Sequence, residues 1–320
     1  MSSVVAQGYV IFNRLRIFVL RRVYTFTAKQ AWRKNTHPGV ETSDEEIPVD
    51  GGHIILRLYK PISQQTLSVV VFYHGGGFVI GDIDAYDGMC RDLSHRTGRI
   101  VVSVGYRLAP EHPFPCAPDD CISALQWVYD HIEDFGGRKD MIYLAGDSAG
   151  GNLAAITALT ARDKLPGLLK GQILIYPVTD HYDSATPSYR ENARGQRLTR
   201  NMMIWFWDMY YRDSVLIKAG ETRHSLATPL TVRDLSKLPP TLVITAEKDP
   251  LRDEGIAYAD RLREQGVDVQ HSLYKGLQHG FIGIAGPTKD HIAGVDEIAQ
   301  WMIDHDRGDA RGDEENLRPL

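Results

Sequence analysis

Short apolar runs that are continuous rather than alternating set the strongest limit on how this chain folds. Residues 53–59 and 68–73 are β-rich runs bounded by glycine, proline and polar residues, and further runs follow at 99–104, 141–145, 172–176, 241–245 and 267–274. A strand wetted on one face alternates apolar and polar residues, whereas a strand covered on both faces reads as an unbroken run. Between the runs lie stretches with helical character, at 119–132, 152–161, 251–265 and 292–303. Ile122, Leu125, Val128 and Tyr129 fall at helical spacing, and 152–161 is rich in Ala and Leu. Strands alternating with helices of this length predict an α/β fold, a mostly parallel central sheet flanked by helices. With 320 residues, 43% of them hydrophobic, one large domain carrying a small insertion is expected.

The alternation breaks between residues 180 and 238, where no clear strand is predicted. This segment reads as a helical cap, and its residues 202–211 carry Trp205, Phe206, Trp207, Tyr210 and Tyr211. Such a stripe serves equally as hydrophobic core or as a ligand surface. Beyond residue 304 the chain is polar and is expected to fray; its two Arg-Gly-Asp triplets carry no weight in so plain a tail.

Residues 9–27 are apolar with Arg14, Arg16, Arg21 and Arg22 set among them, and no acidic residue precedes Glu41. The interrupted run fits neither a secretory signal nor a spanning helix. It can lie on a membrane surface as a basic amphipathic helix or pack on the body of the protein with its arginines in solvent; the second is the expectation. A net charge of -5 gives no global attraction to nucleic acid or to anionic membrane, so neither is an expected partner. Cys90, Cys116 and Cys121 cannot all pair within one chain, and their spacing suits neither a metal nor a redox site. A cytoplasmic, reducing location fits them.

Gly146-Asp147-Ser148-Ala149-Gly150 fits Gly-x-Ser-x-Gly and lies between a predicted strand and a predicted helix. A serine on so sharp a turn is forced outward, and the helix N-terminal amides, Ala149 N–H among them, face charge that develops beside it. The pentapeptide alone could also be a turn that merely starts a helix. His74-Gly75-Gly76-Gly77-Phe78 directly follows the 68–73 strand. Three glycines in a row cost backbone entropy and make sense where N–H groups line a cavity, as the remaining donors of an oxyanion hole. The residues alone leave Gly75, Gly76 and Gly77 all eligible.

A serine nucleophile needs a base and the base an orienting carboxylate, in the order Ser, Asp, His for this kind of turn. Asp249 follows the 241–245 strand, where by itself it reads equally well as a helix N-cap; Asp253 and Glu254 look like charges at the helix N-terminus. Of the histidines beyond it, His271 falls inside a predicted strand, and His291 and His305 lie in the terminal helical region. His279 sits after the last strand in a glycine-rich loop and is assigned as the base. The carboxylates Glu247, Asp249, Asp253 and Glu254 match no calcium-loop spacing and have no zinc-binding histidine pair, so no metal or cofactor is expected.

With these motifs together, residues 70–282 resemble the hormone-sensitive lipase family of serine carboxylesterases, in its microbial branch. The matching stretches are 74–78, 106–111, 146–151, 249–254 and 279–281. The resemblance implies the α/β-hydrolase fold, catalytic Ser148, Asp249 and His279, and oxyanion donors on the glycine loop, Gly76 and Gly77 favoured, and on Ala149. It also implies a cap built from residues 1–45 and 181–238 on a catalytic domain of 46–180 and 239–306, with a flexible tail at 307–320. Trp205 and Phe206 are then expected to bind substrate near the acyl pocket. The implied partner is a small-molecule ester, with short acyl groups expected because an aromatic-rich cap narrows a pocket, and a homodimer is admissible. Amides and lactones use the same machinery; a non-catalytic small-molecule receptor on this fold is the other alternative, disfavoured because such proteins typically lack a triad member and all three candidates are present here. The 106–111 stretch is expected to brace the glycine loop through Tyr106 or Arg107.

Overall fold

The continuous apolar runs form the middle of an eight-stranded sheet, as a sheet covered on both faces requires. The computed structural model describes residues 3–316 apart from 36, 213, 215–219 and 284, with backbone alone for 3–14 and 307–316. The strands are β1 (Val40–Val49), β2 (Gly52–Pro61), β3 (Leu67–Tyr73), β4 (Ile100–Gly105), β5 (Gly137–Asp147), β6 (Leu169–Ile175), β7 (Thr241–Lys248) and β8 (Val269–Gln278). Their spatial order is β1-β2-β4-β3-β5-β6-β7-β8. β2 pairs antiparallel with both β1 and β4, and every other pairing is parallel. Along β3, Val69, Val71 and Tyr73 enter one apolar layer while Val70 and Phe72 enter the other, so both faces need hydrocarbon.

The helices are α1 (Ser3–Trp32), α2 (Ile83–Thr97), α3 (Cys116–His131), α4 (Ala149–Lys164), α5 (Pro187–Glu191), α6 (Arg200–Tyr210), α7 (Arg252–Glu264) and α8 (Lys289–Asn316); α2, α3, α4, α7 and α8 pack on the sheet, whereas α1, α5 and α6 rest chiefly on other helices and turns. The parallel strands end on one edge, and the chain leaves β3, β5, β7 and β8 there with the glycine loop, Ser148, Asp249 and His279 in turn. Ligands of open α/β sheets bind at that carboxyl edge.

Two elements escape a reading by apolar runs. β1 is acidic and largely exposed, with Val40 and Ile47 its buried residues, because an edge strand facing solvent needs little hydrocarbon and charge protects it from pairing with other chains. It also places residues 40–45 in the sheet, so a cap segment ending at residue 45 cuts through a strand. α2 is predominantly polar in sequence, yet Asp82 caps it by accepting from Ala85 N–H at 2.6 Å and Gly98 closes it in the left-handed region. α8 continues to Asn316, past the point where the polar tail was expected to fray; residues 317–320 and the side chains of both Arg-Gly-Asp triplets lie outside the described residues.

α1 packs on the body, as expected, but not with all of its arginines in solvent. Ile17, Ala28 and Trp32 are buried, and Arg21 donates to the Val79 and Ala109 carbonyls and to Glu111. Between residues 180 and 238 the described residues contain helices and turns and no strand.

Candidate active site

Ser148 ends β5 and begins α4 with φ 56° and ψ -118°, a conformation costly for a residue with a side chain. The turn closes because Gly150 lacks a Cβ, which would stand 1.9 Å from the Tyr73 carbonyl oxygen. Ser148 N–H donates to the Ile175 carbonyl at 2.8 Å, pinning the turn to β6.

His279 follows β8 and points back to the serine: its Nε2 lies 2.9 Å from Ser148 Oγ, and its Nδ1 lies 2.6 Å from Asp249 Oδ2. Asp249 is fully buried, and its Oδ1 accepts Leu251 N–H at 2.9 Å. A carboxylate at Nδ1 holds the proton there and leaves the Nε2 lone pair facing the hydroxyl. The sequence-assigned serine, histidine and aspartate are therefore brought into one hydrogen-bonded line.

The other candidates for base lie elsewhere. His271 contacts Thr245 Oγ1 at 2.8 Å, and His305 Nδ1 lies 2.8 Å from the Trp301 carbonyl. His291 is fully buried between Asp92 and Gly283 N–H. The acidic cluster is likewise dispersed. Glu247 accepts Gly276 N–H and Asp253 accepts Ser188 N–H. Glu254, expected as a charge at the helix N-terminus, is instead fully buried and accepts Thr179 N–H at 2.8 Å, and burial pushes its carboxyl well above the usual range.

In the glycine loop Gly77 has φ 62°, and a Cβ there would stand 2.3 Å from the Phe206 ring. Among the described residues no acceptor faces the N–H of Gly76, Gly77 or Ala149. Gly75 must be withdrawn as an eligible donor, because its N–H is spent on Asp147 Oδ1 at 2.8 Å and on the Tyr86 hydroxyl at 3.1 Å. Tyr106 braces this loop as expected, its hydroxyl donating to the His74 carbonyl at 2.7 Å and its ring stacked on His74. Arg107 does not; it forms a fork on Asp120.

Asp147 is the residue that sequence reasoning passed over. It occupies the variable position before the serine, yet its two oxygens tie β5 to the glycine loop and, through Tyr86, to Tyr24 of α1. Burial pushes its carboxyl up to about 6, although the Tyr86 hydroxyl and Gly75 N–H favour the charged form. Because this value lies above that of an unfolded aspartate, the group's contribution to stability is complete below about pH 4 and lost as pH rises through about 6. Asp147→Asn should therefore flatten the pH dependence of unfolding over that window, by on the order of 3 kcal/mol. Urea melts of both proteins across the window measure it, and parallel pH profiles would refute the assignment.

A cavity of about 240 Å³ opens over Ser148, walled by Leu20 and Tyr24 of α1, Ile80 of the glycine loop, and Met202, Met203 and Phe206 of α6. Of the two aromatics expected to bind substrate, Phe206 lies in this wall. Trp205 is not in the wall: helical geometry turns it toward α1, where the Arg16 guanidinium lies 5.8 Å from its ring. Trp207 and Tyr210 point the other way into the core, Tyr210 stacking on Phe78 at 3.9 Å. One helix thus divides its aromatic stripe between core and cavity.

Residues 70–283 match a protein family described by the alpha/beta hydrolase fold. The chain is 38% identical over 274 residues to carboxylic ester hydrolase LipN of Mycobacterium tuberculosis, covering 83% of this chain and 71% of that protein. It is 40% identical over 248 residues to an arylesterase of Saccharolobus solfataricus, covering 77% and 78%. Among solved structures, an esterase of Pyrobaculum calidifontis superposes with a TM-score of 0.83 at 40% identity, over 89% of this chain and 92% of that one. A thermostable carboxylesterase from a metagenomic library gives 0.84 at 38%, over 90% and 97%.

Proposed function

The chain belongs to the hormone-sensitive lipase family of α/β hydrolases, and from that premise we propose that it hydrolyses carboxylic esters through an acyl-enzyme on Ser148. The observation that carries the reading is the line from Ser148 Oγ through His279 to Asp249, at 2.9 and 2.6 Å, on the floor of a cavity.

His279 Nε2 takes the Ser148 proton as Oγ attacks the ester carbonyl carbon. The N–H groups of Gly76, Gly77 and Ala149 receive the oxyanion, each such donor being worth roughly 10²- to 10³-fold in rate. His279 then returns the proton to the leaving alcohol oxygen. Water, deprotonated by the same Nε2, releases the acid and restores Ser148. No step requires a metal or cofactor. Asp147 acts at one remove, by holding Gly75 so that the two glycines after it, Gly76 and Gly77, aim inward.

We read α1 and α6 as the cap over this site, with Phe206 against the acyl group. At roughly 30 Å³ for each water-sized group, the cavity holds about eight. Short acyl groups fit such a space. With p-nitrophenyl esters, kcat/KM should fall about tenfold or more from butyrate to palmitate, since excess chain must leave the cavity for water. Equal or faster turnover of the long ester would overturn the acyl-size reading.

A further inference from the structure

α1 is apolar on two opposite sides. Inward it buries Ile17, Ala28 and Trp32 and sets Leu20 and Tyr24 into the cavity wall. Outward it exposes Leu15 (62%), Phe18 (55%), Val19 (51%), Val23 (53%) and Phe26 (63%). Their spacing keeps all five on one stripe, which no described residue covers. Sequence alone predicted arginines on this solvent face; the structure puts hydrocarbon there, with Arg22 lying on the stripe 5.2 Å from the Phe18 ring and Arg16 at its border.

Charge selects what covers it. α1 holds five basic residues, Arg14, Arg16, Arg21, Arg22 and Lys29, and no acidic one; Arg21 and Lys29 pair with Glu111 and Asp84, while Arg16 and Arg22 lie beside the stripe, on a chain whose other residues carry an acidic excess. An apolar stripe edged by arginines on a cationic helix is the composition that binds in the plane of an anionic lipid surface. A second copy of the chain is a poorer occupant, because a two-fold contact through this stripe brings two helices of the same positive charge together with no acidic residue of either helix to offset it.

We propose that α1 docks this protein on an anionic lipid surface, its apolar stripe entering the headgroup boundary and Arg16 and Arg22 beside it meeting phosphates. No described helix is long and apolar enough to cross a membrane, which agrees with a helix lying along the surface. The cavity wall is the opposite side of the same helix, so lipid would lie about 10 Å from it. Esters of short acids with lipid-soluble alcohols are the substrates this arrangement favours. That clause rests on the ester reading; the docking does not, and Ser148→Ala should bind vesicles as wild type does.

The test is cosedimentation of the full chain with phosphatidylcholine vesicles, with and without phosphatidylglycerol. Binding is expected with the anionic vesicles, weakening as salt screens the arginines. Phe18→Glu/Phe26→Glu should reduce the bound fraction about tenfold while hydrolysis of dissolved p-nitrophenyl acetate is unchanged. Should that variant fail to fold, Phe18→Ser/Phe26→Ser is expected to lose binding in the same sense. Three results would each overturn the proposal: no binding by wild type, equal binding to both vesicle types, or undiminished binding by the folded double variant. A wild-type dimer abolished by the double substitution, without vesicle binding, would make the stripe a chain-to-chain interface instead.

Discussion

Ser148→Ala should lower kcat for p-nitrophenyl butyrate by about 10⁵- to 10⁶-fold, with KM and thermal midpoint close to wild type. The substitution removes one atom, Oγ, which is the atom 2.9 Å from His279 Nε2. The other hydroxyls of the cavity wall, on Tyr24 and Tyr86, bond to each other and Tyr86 donates to Asp147, so neither is paired with His279 as a replacement. The backbone should persist, because the left-handed conformation is held by Ser148 N–H on the Ile175 carbonyl and by the glycine at 150, neither of which needs the hydroxyl. Residual activity of roughly 10³- to 10⁴-fold over water is expected from the amide donors and substrate binding. Turnover within tenfold of wild type would take Ser148 out of the mechanism.

Asp249→Asn should cost about 10⁴-fold in kcat, by reversing a tautomer rather than by disturbing the fold. In the native site Oδ1 accepts Leu251 N–H while Oδ2 faces His279 Nδ1. An asparagine that keeps the first bond must put its oxygen toward Leu251 and its NH₂ toward the imidazole. The ring then needs a lone pair at Nδ1, which moves the proton to Nε2, where it faces Ser148 and cannot accept from it. Because the group is fully buried, no water can restore the native arrangement cheaply. Kinetics of the purified variant, with a circular dichroism spectrum matching wild type, measure this; a loss below tenfold would assign Asp249 to the N-cap role that its position after β7 also suits.

Much of the fold was legible because burial on both faces leaves a direct mark. The runs at 68–73, 99–104 and 172–176 coincide with β3, β4 and β6 to within a few residues. β1 left no such mark, since an edge strand is specified by pairing with β2 and not by its own hydrocarbon. α2 was hidden for a related reason: its buried Tyr86, Met89, Cys90 and Leu93 are interleaved with charges that pair with neighbours, as Arg91 does with Asp87.

The site divides along the same line. Gly-Asp-Ser-Ala-Gly, the glycine loop and the order Ser, Asp, His identify the candidate groups from residue type and spacing, because a tight strand-to-helix turn and a cavity lined by N–H groups can be built from few residues. Which glycine N–H is free, which aromatics of α6 reach the cavity, and which side of α1 meets solvent depend on partners far away in the chain. Asp147 lies 72 positions from the Gly75 amide it occupies, and Arg21 lies 88 from the Ala109 carbonyl that holds α1 down. A sequence determines the chemical groups and the periodicity of its own segments; only packing decides which of two apolar faces is covered, since that depends on the surface each face meets.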